Sequence, residues 1–71
     1  MKTQKEIFAE VLKRLKIDLS KNDKVIIRKE VGIERNALNE YLNGIVRDND
    51  TAHAIIKIGK ECIERRNLIL A

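Results

Sequence analysis

Apolar residues recur every three to four positions along most of the chain, a spacing that gathers them on one face of an α-helix. The strict alternation of apolar and polar residues that is typical of a half-buried strand does not appear. A first helix is predicted at about residues 4–16, where Thr3 and Glu6 have the spacing of a capping box. Ile17 and Leu19 are expected to anchor the next segment under the core. The inward face of this helix is predicted to carry Ile7, Phe8, Val11, Leu12 and Leu15.

Two shorter helices are predicted next, with one glycine between them. The second is predicted at about residues 24–31 and the third at about residues 34–42. Gly32 fits the C-terminal end of the second helix, and Asn43 with Gly44 predicts the turn that ends the third. Three residues are candidate N-caps of the second helix, namely Ser20, Asn22 and Asp23. The residues expected to face inward from it are Val25 or Ile26, together with Ile27 and Val31.

A fourth helix is predicted to begin near Thr51 and to include Gly59. A glycine inside a helix costs about 1 kcal/mol relative to alanine, and a close approach of another helix would explain that cost. Residues 67–71 either extend this helix or fray. Apolar residues also recur every seven positions, so one set is expected to complete the core and another to contact a second copy of the chain, unless all of them cover one monomer core. The residues assigned to this homodimer interface are Ile56, Ile63, Leu68, Ile69 and Leu70.

The composition agrees with a single all-α domain over residues 1–71. The chain has no proline, only two aromatic residues and many strong helix formers. Cys62 is the one cysteine, so an intrachain disulfide is excluded, and with the single His53 it is too few for a zinc site of four protein ligands. No apolar run is long enough to cross a bilayer, and no signal-peptide pattern is found. With the free thiol, these features predict the reducing cytoplasm.

The charge of the chain is positive and uneven. The 15 basic and 11 acidic residues give a net charge of +4. Residues 1–47 hold eleven basic and seven acidic side chains, whereas residues 48–71 hold four of each. A positive surface favours an anionic partner, of which nucleic acid is the commonest. The simpler interpretation is that these charges only keep the protein in solution.

The second and third helices, with the glycine between them, predict a helix-turn-helix. Ile27 and Val31 can then pack against the third helix, which leaves the opposite face of that helix free. Side chains on this face are able to bond base edges and phosphates, so the pattern predicts a helix that lies in a DNA major groove. The residues of this face are Arg35, Asn36, Asn39, Glu40 and Asn43.

The spacing of residues around this turn resembles the signature of the lambda-repressor-like (Xre/Cro-like) DNA-binding domains. The likeness extends over about residues 4–66, because a capped amphipathic helix precedes the turn and a further helix follows it. The resemblance implies an all-α, compact bundle of four to five helices that binds double-stranded DNA as a small transcriptional regulator or repressor. The residues that match the signature are Gly32, Ile33, Leu38, Tyr41, Asn43 and Gly44.

The resemblance also implies roles for individual residues. Arg35 and Asn36 correspond to positions that read bases, and Asn39 and Glu40 lie one turn further along, toward bases or the adjacent backbone. Asn43 corresponds to a position that bonds a phosphate or a base. The full set of expected DNA contacts, with Lys24 and Arg47 on the backbone, is Lys24, Arg35, Asn36, Asn39, Glu40, Asn43 and Arg47.

Two positions depart from the family pattern. Arg28 stands where a small residue usually separates the two helices, so its stem must pack while the guanidinium reaches the surface, or the helices must sit slightly apart. Glu34 replaces a common Ser or Thr, and its carboxylate suits the helix dipole but repels nearby phosphates. Glu40 adds a second acidic group, although a glutamate can accept a hydrogen bond from cytosine.

Several other functions are weighed against DNA binding. The polar face of the third helix is alternatively a solvated surface, and the apolar tail alternatively docks on another protein, as in a helical adaptor or an antitoxin-like partner. RNA binding is disfavoured by the lack of exposed aromatic residues. An enzyme is not expected, since His53 and Cys62 are separated by a rise of about 13.5 Å if both lie on one helix. No cofactor, metal, membrane or small-molecule substrate is predicted as a partner.

Overall fold

Four α-helices account for most of the described chain. A computed structural model describes the backbone of residues 2–70 and the side chains of residues 2–68. The helices are α1 (Gln4–Asp18), α2 (Lys21–Val31), α3 (Arg35–Leu42) and α4 (Asn49–Leu70). No strand occurs within residues 2–70, so the predicted all-α class is confirmed. Over the same residues, no helix combines the length and the apolar character needed to cross a bilayer.

Side-chain caps set the starts of the first two helices. The hydroxyl of Thr3 accepts a hydrogen bond from the Glu6 N–H at 3.2 Å, so the N-cap predicted for α1 is confirmed. At α2, the Ser20 hydroxyl accepts from the Asp23 N–H at 3.2 Å, and the Asp23 carboxylate accepts from the Ser20 N–H at 3.1 Å. This reciprocal capping box starts α2 at Lys21, which is earlier than the predicted start at about residue 24.

Glycines in the left-handed conformation follow α2 and α3. Gly32 has φ 79°, and the N–H groups of Gly32 and Ile33 both donate to the Arg28 carbonyl, at 2.8 and 3.2 Å. Gly44 has φ 96° and lies just past the end of α3. Because a residue with a Cβ is strained in this region, both positions favour glycine, and the two predicted turns are confirmed.

Helix α4 is central to the core, because α1 and α2 both pack along it. A close approach between α1 and α4 occurs at Gly59, where an added Cβ would lie 2.7 Å from Cδ2 of Leu15. This contact confirms the expected reason for a glycine inside the helix. The buried core residues are Leu12, Leu15, Leu19, Ile27, Leu38, Tyr41, Leu42, Val46, Ala52, Ile55 and Ile56.

A polar contact near the C-terminal end of α4 ties three helices together. Asp23, in the first turn of α2, is buried, and Nη1 of Arg66 donates to its carboxylate at 2.8 Å. Nη2 of the same guanidinium donates to the Asp18 carbonyl at the end of α1, at 2.7 Å. The buried carboxylate therefore caps α2 and also has a charged partner, which offsets the cost of removing it from water.

Ile7 and Ile17, which were expected to face the core, are exposed in the structure, and so are both members of the alternative pair Val25 and Ile26. Leu19 is buried as predicted, but Ile17 is 84% exposed. Helix α1 continues to Asp18, and on it Ile17 lies two residues, or about 200°, away from the buried Leu15. The other exposed residues are Ile7 in α1, and Val25 and Ile26 in α2, where Ile27 is buried as predicted.

The C-terminal residues continue α4 to Leu70 and test part of the predicted homodimer interface. Ile56 is buried in the monomer core with 8% of its surface exposed, so its assignment to a contact between subunits is wrong. Ile63 is partly buried against the same core, whereas Leu68 is 78% exposed. The side chains of Ile69 and Leu70 lie outside the described residues, and the homodimer stays a prediction.

Candidate functional site

The polar side chains of α3 lie on the outside of the molecule. Arg35, Asn36, Asn39 and Asn43 are all exposed. The opposite face of the helix packs into the core through its buried residues, Leu38, Tyr41 and Leu42. Helix α3 is therefore held by one face, and the other is free to contact a partner.

A groove of about 370 Å³ lies between α2 and α3. Val25 and Leu38 supply apolar surface, Asn39 adds an amide, and no carboxylate lines the groove. Several positive charges in one concave surface raise the local potential and attract an anion. The basic side chains that line it are Lys21, Lys24 and Arg28 from α2 and Arg35 from α3.

The basic residues of the groove are not neutralised by carboxylates of the described chain. Within residues 2–68, the side chains that form ion pairs are Lys2 with Glu10, Arg47 with Glu40, and Arg66 with Asp23. None of these pairs includes a residue of the groove. Like charges that share a concave surface repel one another, so a bound anion would relieve that repulsion.

Arg28 combines an enclosed stem with a donor that has no partner. The residue is half-buried, and its Nε is shielded from solvent without a hydrogen-bond partner in residues 2–68. The stem thus packs beside the groove, as expected for an arginine at a position where a small residue is usual. Leaving a buried donor without a partner costs about 1–3 kcal/mol, so this arginine is not there to stabilise the fold.

Polar groups at the C-terminal end of α3 make contacts within the protein. The Glu40 carboxylate pairs with the Arg47 guanidinium at 3.1 Å. The Oδ1 atom of Asn43 accepts a hydrogen bond from Nζ of Lys16 at 2.6 Å, so α1 reaches the end of α3. An exposed ion pair contributes about 0–1 kcal/mol, and a phosphate can therefore compete for Arg47.

The structure brings together only part of the predicted site. Lys24, Arg35 and Asn39 meet in the groove between α2 and α3. Asn36 is exposed on α3 but does not line that groove, and Arg47 is engaged with Glu40 in the loop beyond α3. The predicted residues thus form two groups. One lines the groove, and the other, Asn36, Glu40, Asn43 and Arg47, lies on α3 outside the groove or in the residues that follow α3.

Lys21 was not among the residues predicted for the site, and Arg28 was noted only as a departure from the family pattern. A signal for both was available in the capping-box spacing of Ser20 and Asp23. A helix that begins at Lys21 places this residue, Lys24 and Arg28 at spacings of three, four and seven, and hence on one face.

The remaining candidate groups have structural surroundings that explain them. Burial raises the pKa of the Cys62 thiol, which disfavours the reactive thiolate. His53 is exposed, and its ring centroid lies 6.3 Å from that of Phe8. The pKa of Asp48 is lowered because its carboxylate accepts hydrogen bonds from the hydroxyl and the N–H of Thr51 at the start of α4.

Comparison of the chain with protein-family models, curated proteins and solved structures gives no match. The lambda-repressor-like resemblance therefore stays a prediction that depends on six signature residues.

Proposed function

We propose that this protein binds double-stranded DNA in a sequence-specific manner and acts as a small transcriptional regulator, such as a repressor. The observation that carries the proposal is the exposed polar face of α3 beside a groove lined by four basic side chains. An α-helix fits the major groove of B-DNA, where arginine and asparagine form directional hydrogen bonds with base edges. Basic groups next to such a helix can contact the flanking phosphates.

In the proposed complex, α2 and α3 act as a helix-turn-helix of the lambda-repressor-like kind, with α3 in the major groove. Arg35, Asn36 and Asn39 read bases, and Lys24 contacts the backbone. The left-handed turn at Gly32 supports this arrangement, since it joins the two helices with few intervening residues. No cofactor or metal takes part.

The C-terminal end of α3 contributes weaker contacts. Arg47 turns from Glu40 toward a phosphate, and Asn43 offers its amide to the backbone or a base while Lys16 approaches from α1. Glu40 then either accepts a hydrogen bond from cytosine or repels the backbone, which favours some sequences over others.

A homodimer is part of the same proposal. Two copies would place their α3 helices on half-sites about one helical turn apart. The exposed Leu68, near the end of α4, supports a contact between copies, with Ile63 at its edge. Sedimentation equilibrium measures this directly, and a pure monomer at high micromolar concentration would rule the dimer out.

A protein-interaction module is the second candidate function. It is favoured by the exposure of Leu68 and Ile17, two large apolar side chains at 78% and 84%. An adaptor of this kind would bind through apolar contacts, would be nearly insensitive to salt, and would lose its partner on truncation after Arg66. That truncation retains the contact of Arg66 with Asp23, so the domain is expected to stay folded.

Salt dependence of binding tests the proposal. Genomic fragments are selected on the immobilised full chain, and the affinity for a selected duplex is then measured by fluorescence anisotropy at several salt concentrations. Each phosphate neutralised contributes about −0.9 to the slope of log affinity against log salt, so a slope steeper than about −2 is expected. A scrambled duplex of the same composition is the control and should bind more weakly.

Two results would contradict DNA binding. One is the failure of the selection to enrich any duplex over the scrambled control. The other is a slope near zero, which would favour the adaptor.

A further inference from the structure

The groove between α2 and α3 contains a donor that the fold leaves without a partner. Nε of Arg28 is enclosed, and no acceptor within residues 2–68 reaches it. A guanidinium carries five N–H donors in a fixed plane and has no acceptor of its own. Nε itself is shielded, but the side chain is only half-buried and lines the groove, so the terminal N–H groups of Arg28 are the ones that an acceptor from outside can reach.

The surroundings of Arg28 favour an anion as the source of those acceptors. Lys21 and Lys24 lie on the same face of α2, and Arg35 faces them from α3. No carboxylate lines the groove, and none of its cations forms an ion pair within residues 2–68. Four positive charges without an ion-pair partner surround one concavity, which therefore suits an anion with several oxygens that accept hydrogen bonds.

The chemistry of the guanidinium narrows the ligand further. Two parallel N–H groups of an arginine match two oxygens of a phosphate, and these charge-assisted hydrogen bonds are stronger than neutral ones. Apolar surface from Val25 and Leu38 borders the groove, and reduced contact with water strengthens such bonds.

We propose that the groove between α2 and α3 is a phosphodiester site, in which Arg28, flanked by Lys21 and Lys24, grips one backbone phosphate of the DNA duplex. The inference rests on the proposed function and adds two residues, Arg28 and Lys21, to the backbone contact that the family resemblance implies for Lys24; a small residue is usual at the position of Arg28. A phosphate held there fixes α3 in the adjacent major groove. Arg28 is a backbone contact in this scheme and does not read bases.

Replacement of Arg28 tests the site with two independent readouts. Arg28→Met retains an apolar stem but has no charge and no Nε–H. It is expected to weaken binding to all duplexes by about tenfold or more and to make the salt slope shallower by about 0.9, with the ranking of sequences unchanged. Thermal unfolding should show an equal or higher melting temperature, because the variant removes a donor without a partner. Arg28→Lys retains the charge, so the slope should be retained while affinity falls.

Two further variants keep the test decisive if Arg28→Met does not fold. Lys21 is exposed and only flanks the phosphate, so Lys21→Gln is expected to make the salt slope shallower by less than Arg28→Met does. Lys29 is exposed on α2 outside the groove, so Lys29→Gln is the matched control and should leave the slope unchanged.

The outcomes separate this inference from the proposed function. If wild type binds duplex DNA with a steep salt slope while Arg28→Met and Lys21→Gln match it, the phosphodiester site is overturned and DNA binding stands. If wild type binds no duplex in a salt-dependent way, both fall. A salt slope that becomes as shallow in Lys29→Gln as in Arg28→Met would also overturn the site, since the effect would then come from net charge.

Discussion

The two sides of helix α2 differ in whether their charged side chains have partners within the protein. Toward α4, the buried Asp23 carboxylate caps the helix and pairs with Arg66, which also bonds the Asp18 carbonyl. Toward α3, Lys24 and Arg28 line a groove that has no carboxylate, and Nε of Arg28 has no partner within residues 2–68. On the α4 side the charged groups are paired with each other, whereas on the α3 side the basic groups form no ion pair within residues 2–68 and can bind an external partner.

The difference separates residues that stabilise the fold from residues that oppose it. A buried charge without a partner is costly, so folding favours the arrangement on the α4 side. Clustered like charges work against folding, and a domain of this size has little stability to lose. Local conflicts with folding are typical of functional sites, and this conflict is the reason for locating the partner surface on the α3 side.

The largest expected effect is on the stability of the α4 side. Asp23→Ala removes the carboxylate half of the capping box and the partner of Arg66, and we expect a loss of about 2–3 kcal/mol in the free energy of unfolding, since Arg66 is partly solvated. Ser20→Ala removes only the cap and should cost about 1 kcal/mol. Urea unfolding followed by circular dichroism measures both, and equal losses would show that the ion pair contributes nothing.

The next effect is on DNA affinity at the α3 side. Arg35→Ala should relax base preference and cost about 1–3 kcal/mol on the preferred duplex if the arginine reads a guanine. Lys24→Ala should weaken binding to all duplexes alike and make the salt slope shallower by about 0.9. Arg35 is exposed, and the half-buried Lys24 forms no ion pair within residues 2–68, so unfolding free energies should stay within about 0.5 kcal/mol of wild type. If both variants bind as wild type does, the docking of α3 is wrong.

The smallest effect concerns the ion pair beyond the groove. Glu40→Gln frees Arg47 and removes an acidic group from the polar face, so binding should tighten by less than about 1 kcal/mol. Glu30→Gln changes the net charge equally on the α4 side of α2, next to Glu61 and Arg65, and is the matched control. Anisotropy titrations at low salt compare the two. An equal gain in the control would mean that net charge, and not the local pair, sets the affinity.

The elements of the fold could be predicted from the sequence because their signals are local. Helical spacing located four helices, and Gly32 and Gly44 marked the turns that the structure contains. Gly59 even predicted a close helix contact, since a glycine inside a helix needs a reason. These signals depend only on near neighbours along the chain.

The orientation of short helices and the pairing of distant residues were harder to predict. Ile27 was correctly predicted to be buried in α2, but Val25 and Ile26 are both exposed, because each residue is rotated by about 100° from the next along the helix. The pair of Asp23 and Arg66 joins residues 43 positions apart, which no local pattern reveals. The burial of Ile56 also depends on distant residues, because the packing of α1 and α2 on α4 covers more than one stripe of that helix. The groove was not predicted in full, because a helix that begins at about residue 24 excludes Lys21, whereas α2 begins at that residue.

The guanidinium of Arg66 has a mechanical consequence for recognition. It joins the end of α1, the first turn of α2 and the C-terminal part of α4, and so restrains the N-terminal end of α2 relative to the other two helices. The backbone of that first turn is thereby preorganised, so less conformational entropy is lost when a partner binds. The molecule should dock as a rigid body, with its backbone nearly the same in the free and bound states.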